Sequence, residues 1–379
     1  MPSSLIIIGI YISSIGSYYP TIFLIGFSLF IVIGDMIFKR ELAVEKFSYT
    51  KVLDMAVYIN LPLLAILMFL VISIFGNTPP YWFTYIFNTY LYIDIINMKE
   101  SINTLDKISL IAITSLFTGI LGTVPGHELT HRKKNKFDMF VGNWMLAFSW
   151  DCAFAIEHVY GHHKNVCLPE DPATARRGEN LYGFIFRAIV SEQRDAWKIE
   201  MARLKIRGCS PISVHNRMLV GYLRSLTITS LAFIVGGVIG MLYYLLFAFL
   251  SKSLLEAINY SEHYGLVRER GKPVCSRHSW NSNHLISSIT LCNVTRHSSH
   301  HEASHLKFWE LDTYPDAPML PQGYLGMLYI AIFLPPLYHK MMAQKLIDWD
   351  ANYATDKEQK IALIENKNSG IPALINSNN

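Results

Sequence analysis

The chain has 379 residues, of which 51% are hydrophobic and only 16% charged. Soluble domains carry about 25% charged residues, so this balance points to lipid as part of the solvent. A formal net charge of +4 does not imply a nucleic-acid partner, and the five cysteines (Cys152, Cys167, Cys209, Cys275, Cys292) contain no C-x-x-C pair. That pattern reads as free thiols in a reducing compartment, and it excludes a disulfide framework, a thiolate metal site and a built-in iron–sulfur carrier.

In chain order, residues 3–38 form an apolar run too long for one straight span of ~20 residues. Gly16-Ser17-Tyr18-Tyr19-Pro20 offers a break, which predicts a short helix and then a full one over about 19–38, with one long tilted helix as the alternative. The run has no charged n-region and no A-x-A cleavage site, so it reads as a retained membrane segment and not a secretory signal. Residues 52–75 predict a second full span, with Pro62 tolerated as a kink. The aromatic segment 81–97 suits the headgroup layer, 105–126 predicts a further span leading into His127, and 219–263 predicts two antiparallel helices turning near Gly236-Gly237. The polar tail 350–379 is expected to form a surface helix that frays.

Charge sets the expected orientation. Lys39, Arg40, Lys46 and Lys51 crowd 39–51, and Arg132, Lys133, Lys134, Lys136, Lys164, Arg176 and Arg177 crowd 132–217, whereas 76–104 holds only Lys99. The positive-inside rule then places 39–51, 132–217 and everything after 263 in the cytoplasm. The predicted fold is all-α: a polytopic membrane protein with six transmembrane helices and a cytoplasmic histidine-rich helical cap. It reads as one membrane-embedded domain over 1–379, with the first four transmembrane helices in 1–131, a cytoplasmic segment over 132–217, a helix pair over 218–263, and the cap and tail over 264–379.

Nine of the fourteen histidines fall in four clusters: His127 and His131; His158, His162 and His163; His263; and His297, His300 and His301. Each multiple cluster contains an i, i+4 pair, one helical turn apart on one face. Nine imidazoles exceed what one ion can use and suit two, and the predicted topology puts all four clusters on one side of the membrane. Imidazole ligation alone leaves iron, zinc and copper open. Glu128, Glu157, Asp171 and Glu262 lie in or beside the clusters and would offset metal charge or hold ligand rings, and His278 and His284 are candidates to orient ligands through hydrogen bonds. His215, His305 and His339 read as surface or outer residues. Taken alone, His127-Glu-Leu-Thr-His131 matches the H-E-x-x-H pattern of a zinc protease, with Glu128 as base. That reading leaves the other clusters unexplained, and a non-enzymatic metal carrier using the clusters as a path would need a row of ionisable residues that the spans lack.

The ordered motifs carry a resemblance. His127-Glu-Leu-Thr-His131-Arg132, Glu157-His158-Val-Tyr-Gly161-His162-His163, Asn259-Tyr260-Ser-Glu262-His263-Tyr264-Gly265-Leu266 and Arg296-His297-Ser-Ser-His300-His301 resemble those of the integral-membrane non-haem di-iron alkane monooxygenases. That family is related to xylene monooxygenase and to membrane fatty-acid desaturases. Pro169-Glu170-Asp171-Pro172-Ala173 and Arg277-His-Ser-Trp-Asn-Ser-Asn-His284 match as well, and the resemblance covers about 105–330. Ser299 stands where many alkane enzymes have an acidic residue, Tyr160 sits inside the second cluster, and Leu346-Ile347-Asp348-Trp349-Asp350 is similar to the xylene enzyme.

The resemblance implies two iron ions on the nine histidines, with O2 as co-substrate and no catalytic side chain beyond the ligands. It implies hydroxylation of an unactivated C–H bond, foremost the terminal methyl of a medium-chain n-alkane, to give a 1-alkanol. Methyl hydroxylation of alkylaromatics and fatty-acyl desaturation are the alternatives. Electrons would come from a separate rubredoxin or ferredoxin with an NAD(P)H-dependent reductase. The enzyme would sit in the bacterial inner membrane with its site on the cytoplasmic side. The basic residues around Arg132-Lys133-Lys134 and Arg176-Arg177 are a candidate docking surface for an acidic carrier.

Overall fold

A computed structural model describes residues 2–38, 40–44 and 46–377. Lys39, one of the cations that set the expected orientation of 39–51, lies outside the described residues, as do the last two residues of the tail. The described residues are helical, with one isolated bridge between Asn281 and Met319 and no strand.

The N-terminal run resolves into two helices, Pro2–Ser14 and Tyr19–Ile37. Gly16 (φ 75°) and Ser17 (φ 46°) turn through the left-handed region between them. A Cβ at Gly16 would lie 2.1 Å from Ser101 Oγ, so conformation and space both require glycine there. The next span divides into Thr50–Tyr58 and Asn60–Phe75. Pro62 explains the division, because it cannot donate to Tyr58 and its ring crowds that carbonyl. The aromatic segment forms Tyr81–Leu91 and Ile95–Ser101 and exposes Tyr81, Trp82, Tyr85, Tyr90 and Tyr92.

Helix Thr104–Leu116 begins on a capping box: Asn103 accepts from the Asp106 backbone, and Asp106 accepts from that of Asn103. A π-helical stretch, Phe117–Thr123, then carries it into Val124–His131. The segment Arg217–His263 is broken at Gly237, where φ is 64° and ψ −162°. A Cβ at Gly240 would lie 3.3 Å from the Ala232 carbonyl oxygen. Residues eight apart on a continuous helix are separated by about 12 Å, so the chain reverses at this point. Among the described residues, four helices are long and apolar enough to cross a membrane: Tyr19–Ile37, Thr50–Phe75, Thr104–His131 and Arg217–His263. Tyr324–Phe333, in the segment expected to be wholly cytoplasmic, is a shorter apolar helix.

The chain divides into two compact units, one of Met1–Phe30, Ser48–Cys152 and Cys209–Leu254, the other of Ile31–Phe47, Ala153–Gly208 and Leu255–Asn379. In the first, Phe23, Phe27 and Phe117 pack edge and face with centroids 5.2–6.1 Å apart. Helix Val124–His131 lies against Lys136–Ala147 so closely that a Cβ on Gly142 would fall 3.0 Å from the Gly126 carbonyl. Small residues at such crossings let backbones approach in lipid, where no hydrophobic force drives helices together.

In the second unit, Leu181–Ile206 is capped by Asn180 and buries Leu181, Phe184, Ala188, Ala196 and Leu204 at helical spacing. Pro335–Asn352 and Asp356–Asn368 follow toward the C-terminus. The second of these corrects the expectation of a fraying surface helix. It starts on a Thr355–Glu358 capping box, buries Glu358, Ala362 and Asn366, and is held by fully buried Arg177. The Arg177 guanidinium donates to Asp350 (2.7 Å, twice), Asn366 (2.6 Å) and the Gly265 carbonyl (2.8 Å). Most polar residues of the tail face solvent, and Glu358 and Asn366 are the buried ones that pair inward.

Candidate metal centre

The first histidine pair stands at the end of Thr104–His131. His127 and His131 face each other across one turn with their Nε2 atoms 2.9 Å apart, and Thr130 Oγ1 donates to the His127 carbonyl at 2.8 Å. Glu128, from the same turn, is ion-paired to Arg132 at 2.8 Å, and Arg132 also meets Asp54 and Asp138. Arg132 and Arg177 are therefore engaged by carboxylates of their own unit, which corrects their expected place in a basic docking surface. Arg176 remains exposed.

The second unit carries the other seven histidines. His158–His162 is a π-helical turn. On an α-helix, residues five apart point about 140° away from each other; the wider π turn brings His158 and His163 together, Nε2 to Nε2, at 3.1 Å. His158 was expected to pair with His162, four residues on. Instead His162 turns to another group, and the cluster divides in two directions. The cluster on His297–Glu302 divides likewise. His297 and His301 pair at 3.0 Å, whereas the His300 ring stands 4.9 Å from that of His163.

Two groups result. His158, His163 and His300 each offer a nitrogen, all within 4.8 Å of one another, and so do His162, His263, His297 and His301. The two groups abut, with the His163 and His301 ring centroids 4.4 Å apart. His297 is the hub of the four-histidine group, its Nε2 lying 3.0 Å from the Nε2 atoms of both His263 and His301.

Hydrogen bonds on the far side of two rings, His162 and His263, explain their aim. His162 Nδ1 donates to Asp171 at 2.9 Å, and Asp171 is fixed in turn by Thr174 Oγ1 at 2.5 Å and by the Ala173 backbone N–H. His263 Nδ1 donates to the His278 carbonyl at 3.0 Å, and His297 Nδ1 stands 3.2 Å from Glu262 Oε1. With Nδ1 committed outward in His162 and His263, their Nε2 atoms point into the group as acceptors. His162 Nε2 is buried and has no hydrogen-bond partner among the described residues. Such an orphaned acceptor, aimed at three other imidazoles, suits a metal ion.

Burial keeps the His300 and His301 rings neutral. It holds His300 at about 3, with His162 nearby adding to the effect, and places His301 well below the ordinary 6.5. Neutral imidazole has the free lone pair that a metal requires. Burial alone would raise the Asp171 carboxyl, but His162 and Thr174 outweigh it and hold the group ionised, below its usual range. A donor set made only of nitrogen fits iron, zinc or copper and is a poor match for magnesium or calcium.

Glu157 is buried, and a Cβ at Gly161 would fall 2.4 Å from its Oε1. His278 reaches the four-histidine group through its carbonyl, while His284 Nδ1 pairs with Ser282 Oγ at 2.8 Å. His339 Nδ1 accepts from Tyr264 Oη at 2.6 Å. Glu358 escaped the sequence reading. Its only signal was the Thr355-x-x-Glu358 capping box, which marks a helix start but not the contact it makes with His278.

One outcome follows from this geometry. Asp171→Asn leaves a side chain of the same shape that no longer attracts the His162 N–H as an anion. Outer-sphere changes of this kind cost roughly 10- to 100-fold in metal affinity. Metal titration of Asp171→Asn should show a loss in that range at one site, and unaltered binding would mean that His162 is not a ligand.

Comparison with known proteins agrees with the geometry. Residues 108–331 match the family model described as fatty acid desaturase, and the chain belongs to that family. Among its relatives, it is 37% identical over 254 residues to alkane 1-monooxygenase 1 of Pseudomonas aeruginosa, covering 64% of each chain. It is 34% identical to alkane 1-monooxygenase 2 of Alcanivorax borkumensis over 69% of each chain. To the xylene/toluene monooxygenase hydroxylase component of Pseudomonas putida it is 33% identical, over 66% of this chain and 68% of that one. The alignment therefore spans just under two thirds of the length of the Pseudomonas aeruginosa relative.

Proposed function

We propose that the protein is a membrane monooxygenase that hydroxylates an unactivated C–H bond with O2. The foremost substrate is a medium-chain n-alkane, converted at its terminal methyl to the 1-alkanol. The observation that carries this reading is the convergence of seven imidazoles of one unit into two abutting groups. In this reading the nine histidines hold two irons, with His162, His263, His297 and His301 on one of them. Bound iron would supply the reductive activation of O2.

The protein's own residues do the rest. Asp171 and the His278 carbonyl hold His162 and His263 in the tautomer that presents Nε2 inward. Burial of the rings excludes water, which would otherwise quench a reactive oxidant. No ionisable side chain is assigned to proton transfer at the substrate.

Membrane placement in this reading is six spans, the hairpin at Gly237 providing two of them, with the histidine-rich cap cytoplasmic in a bacterial inner membrane. An apolar substrate would then arrive from lipid and electrons from the cytoplasm. The electrons would come from a separate rubredoxin or ferredoxin and its NAD(P)H-dependent reductase. Similarity to the xylene/toluene enzyme supports a second reading, hydroxylation of an alkylaromatic methyl group.

Incubation with labelled O2, an electron-donor system and, in turn, octane, a xylene and a fatty acyl substrate separates these readings. Label in 1-octanol is the expected result, and label in the benzylic alcohol alone would favour the alkylaromatic. A desaturated product without label would contradict hydroxylation.

A further inference from the structure

Glu358 lies on the C-terminal helix, far in sequence from every histidine cluster, and its carboxylate is nevertheless fully buried. It accepts from His278 Nε2 at 2.8 Å and from Arg277 Nε at 2.9 Å. The backbone N–H of Cys275 donates to His278 Nδ1 at 2.9 Å, which fixes the proton of that ring on Nε2, facing Glu358. His278 closes a single 3-10 turn, Ser276–His278. Its carbonyl then accepts from His263 Nδ1 at 3.0 Å and from Cys167 Sγ at 3.1 Å. Trp349 Nε1 secures the same turn by donating to the Arg277 carbonyl at 2.7 Å.

We infer that Glu358 is a positioning residue for the metal centre: by anchoring the His278 ring, it aims the His278 carbonyl that orients His263. The inference rests on the reading of His263 as a metal ligand. A short turn has few backbone contacts of its own, so the place of its carbonyl depends on what grips its side chains. Glu358 grips two of them, Arg277 and His278. The C-terminal helix is thereby joined to the four-histidine group through one side chain, one ring and one carbonyl. Burial would raise the Glu358 carboxyl, but its bonds to His278 and Arg277 outweigh this and keep it ionised well below the usual carboxylate range.

The test uses the full-length protein in lipid nanodiscs, stripped of metal and titrated with Co(II), whose visible bands report ligand geometry. Glu358→Leu should weaken one cobalt site roughly 10- to 100-fold and shift its bands, leaving the other site unchanged. Glu358→Gln keeps an acceptor for His278 and should restore most of that affinity. Thr355→Ala removes the helix cap but not the His278 contact, so it should destabilise the helix without altering cobalt binding. Wild-type affinity and spectrum in Glu358→Leu would overturn the inference whatever happens to thermal stability. If Glu358→Leu does not fold, Glu358→Asp, which draws the carboxylate back from His278 by one methylene, should weaken and shift the same cobalt site, and a Glu358→Asp protein with wild-type affinity and spectrum overturns the inference. Wild-type protein that takes up no cobalt would overturn the metal-centre reading itself, and this inference with it.

Discussion

His297→Ala is expected to remove one of two iron ions and to abolish hydroxylation. The Nε2 of His297 lies 3.0 Å from those of both His263 and His301, so it is the ring through which the four-histidine group is connected. Its removal leaves three imidazoles around an opening wide enough for water. It also leaves Glu262, buried and 3.2 Å from the lost Nδ1, without that neighbour. Outer-sphere partners are worth roughly 10- to 100-fold in affinity, and losing a ligand should exceed that range. Iron per chain and turnover of octane should therefore fall together. His284→Ala provides the contrast, since its ring is bonded to Ser282; iron content should be retained. Full iron in His297→Ala would remove it from the ligand set.

Arg177→Ala should be the most destabilising single change outside the histidines. The guanidinium is buried and makes hydrogen bonds to Asp350, Asn366 and the Gly265 carbonyl. Breaking a buried ion pair from one side leaves an uncompensated charge and costs about 3–5 kcal/mol. Asp350 is partly exposed, 20% by side chain, so the lower end of that range applies. Limited proteolysis should cut near Asp356–Asn368 well before the rest of the chain, and the melting temperature should fall. A variant as resistant to protease as the wild type would show that the C-terminal helix is held chiefly by its apolar contacts. Arg177→Lys should recover little, because one ammonium cannot reproduce the bidentate contact with Asp350.

Much of the architecture was legible in the chain itself because its signals are local. The breaks at Gly16, Pro62 and Gly237 follow from backbone chemistry that any sequence reader can apply, and the helical segments stand where their apolar runs predict. The histidines were also visible, since i, i+4 spacing is a property of one helix. Their division between groups was not. It depends on the π turn at His158–His162, which shifts one partner from four residues away to five. That turn has no composition signal of its own. The roles of Arg177 and Glu358 were hidden for a different reason. Both act across more than 75 residues of sequence, and burial makes partners of groups that read as surface charge. In a tail that is mostly solvated, the two buried polar residues, Glu358 and Asn366, are not marked until their partners are known.

Counting the metal shows whether the histidines form a two-iron centre. Protein purified from cells grown with ample iron should carry two irons per chain, with little zinc or copper, and Mössbauer spectra should show non-haem iron in nitrogen-rich surroundings. One zinc and no iron per chain would rule out a di-iron centre, and would return His127-Glu-Leu-Thr-His131 to the protease pattern it matches when read alone.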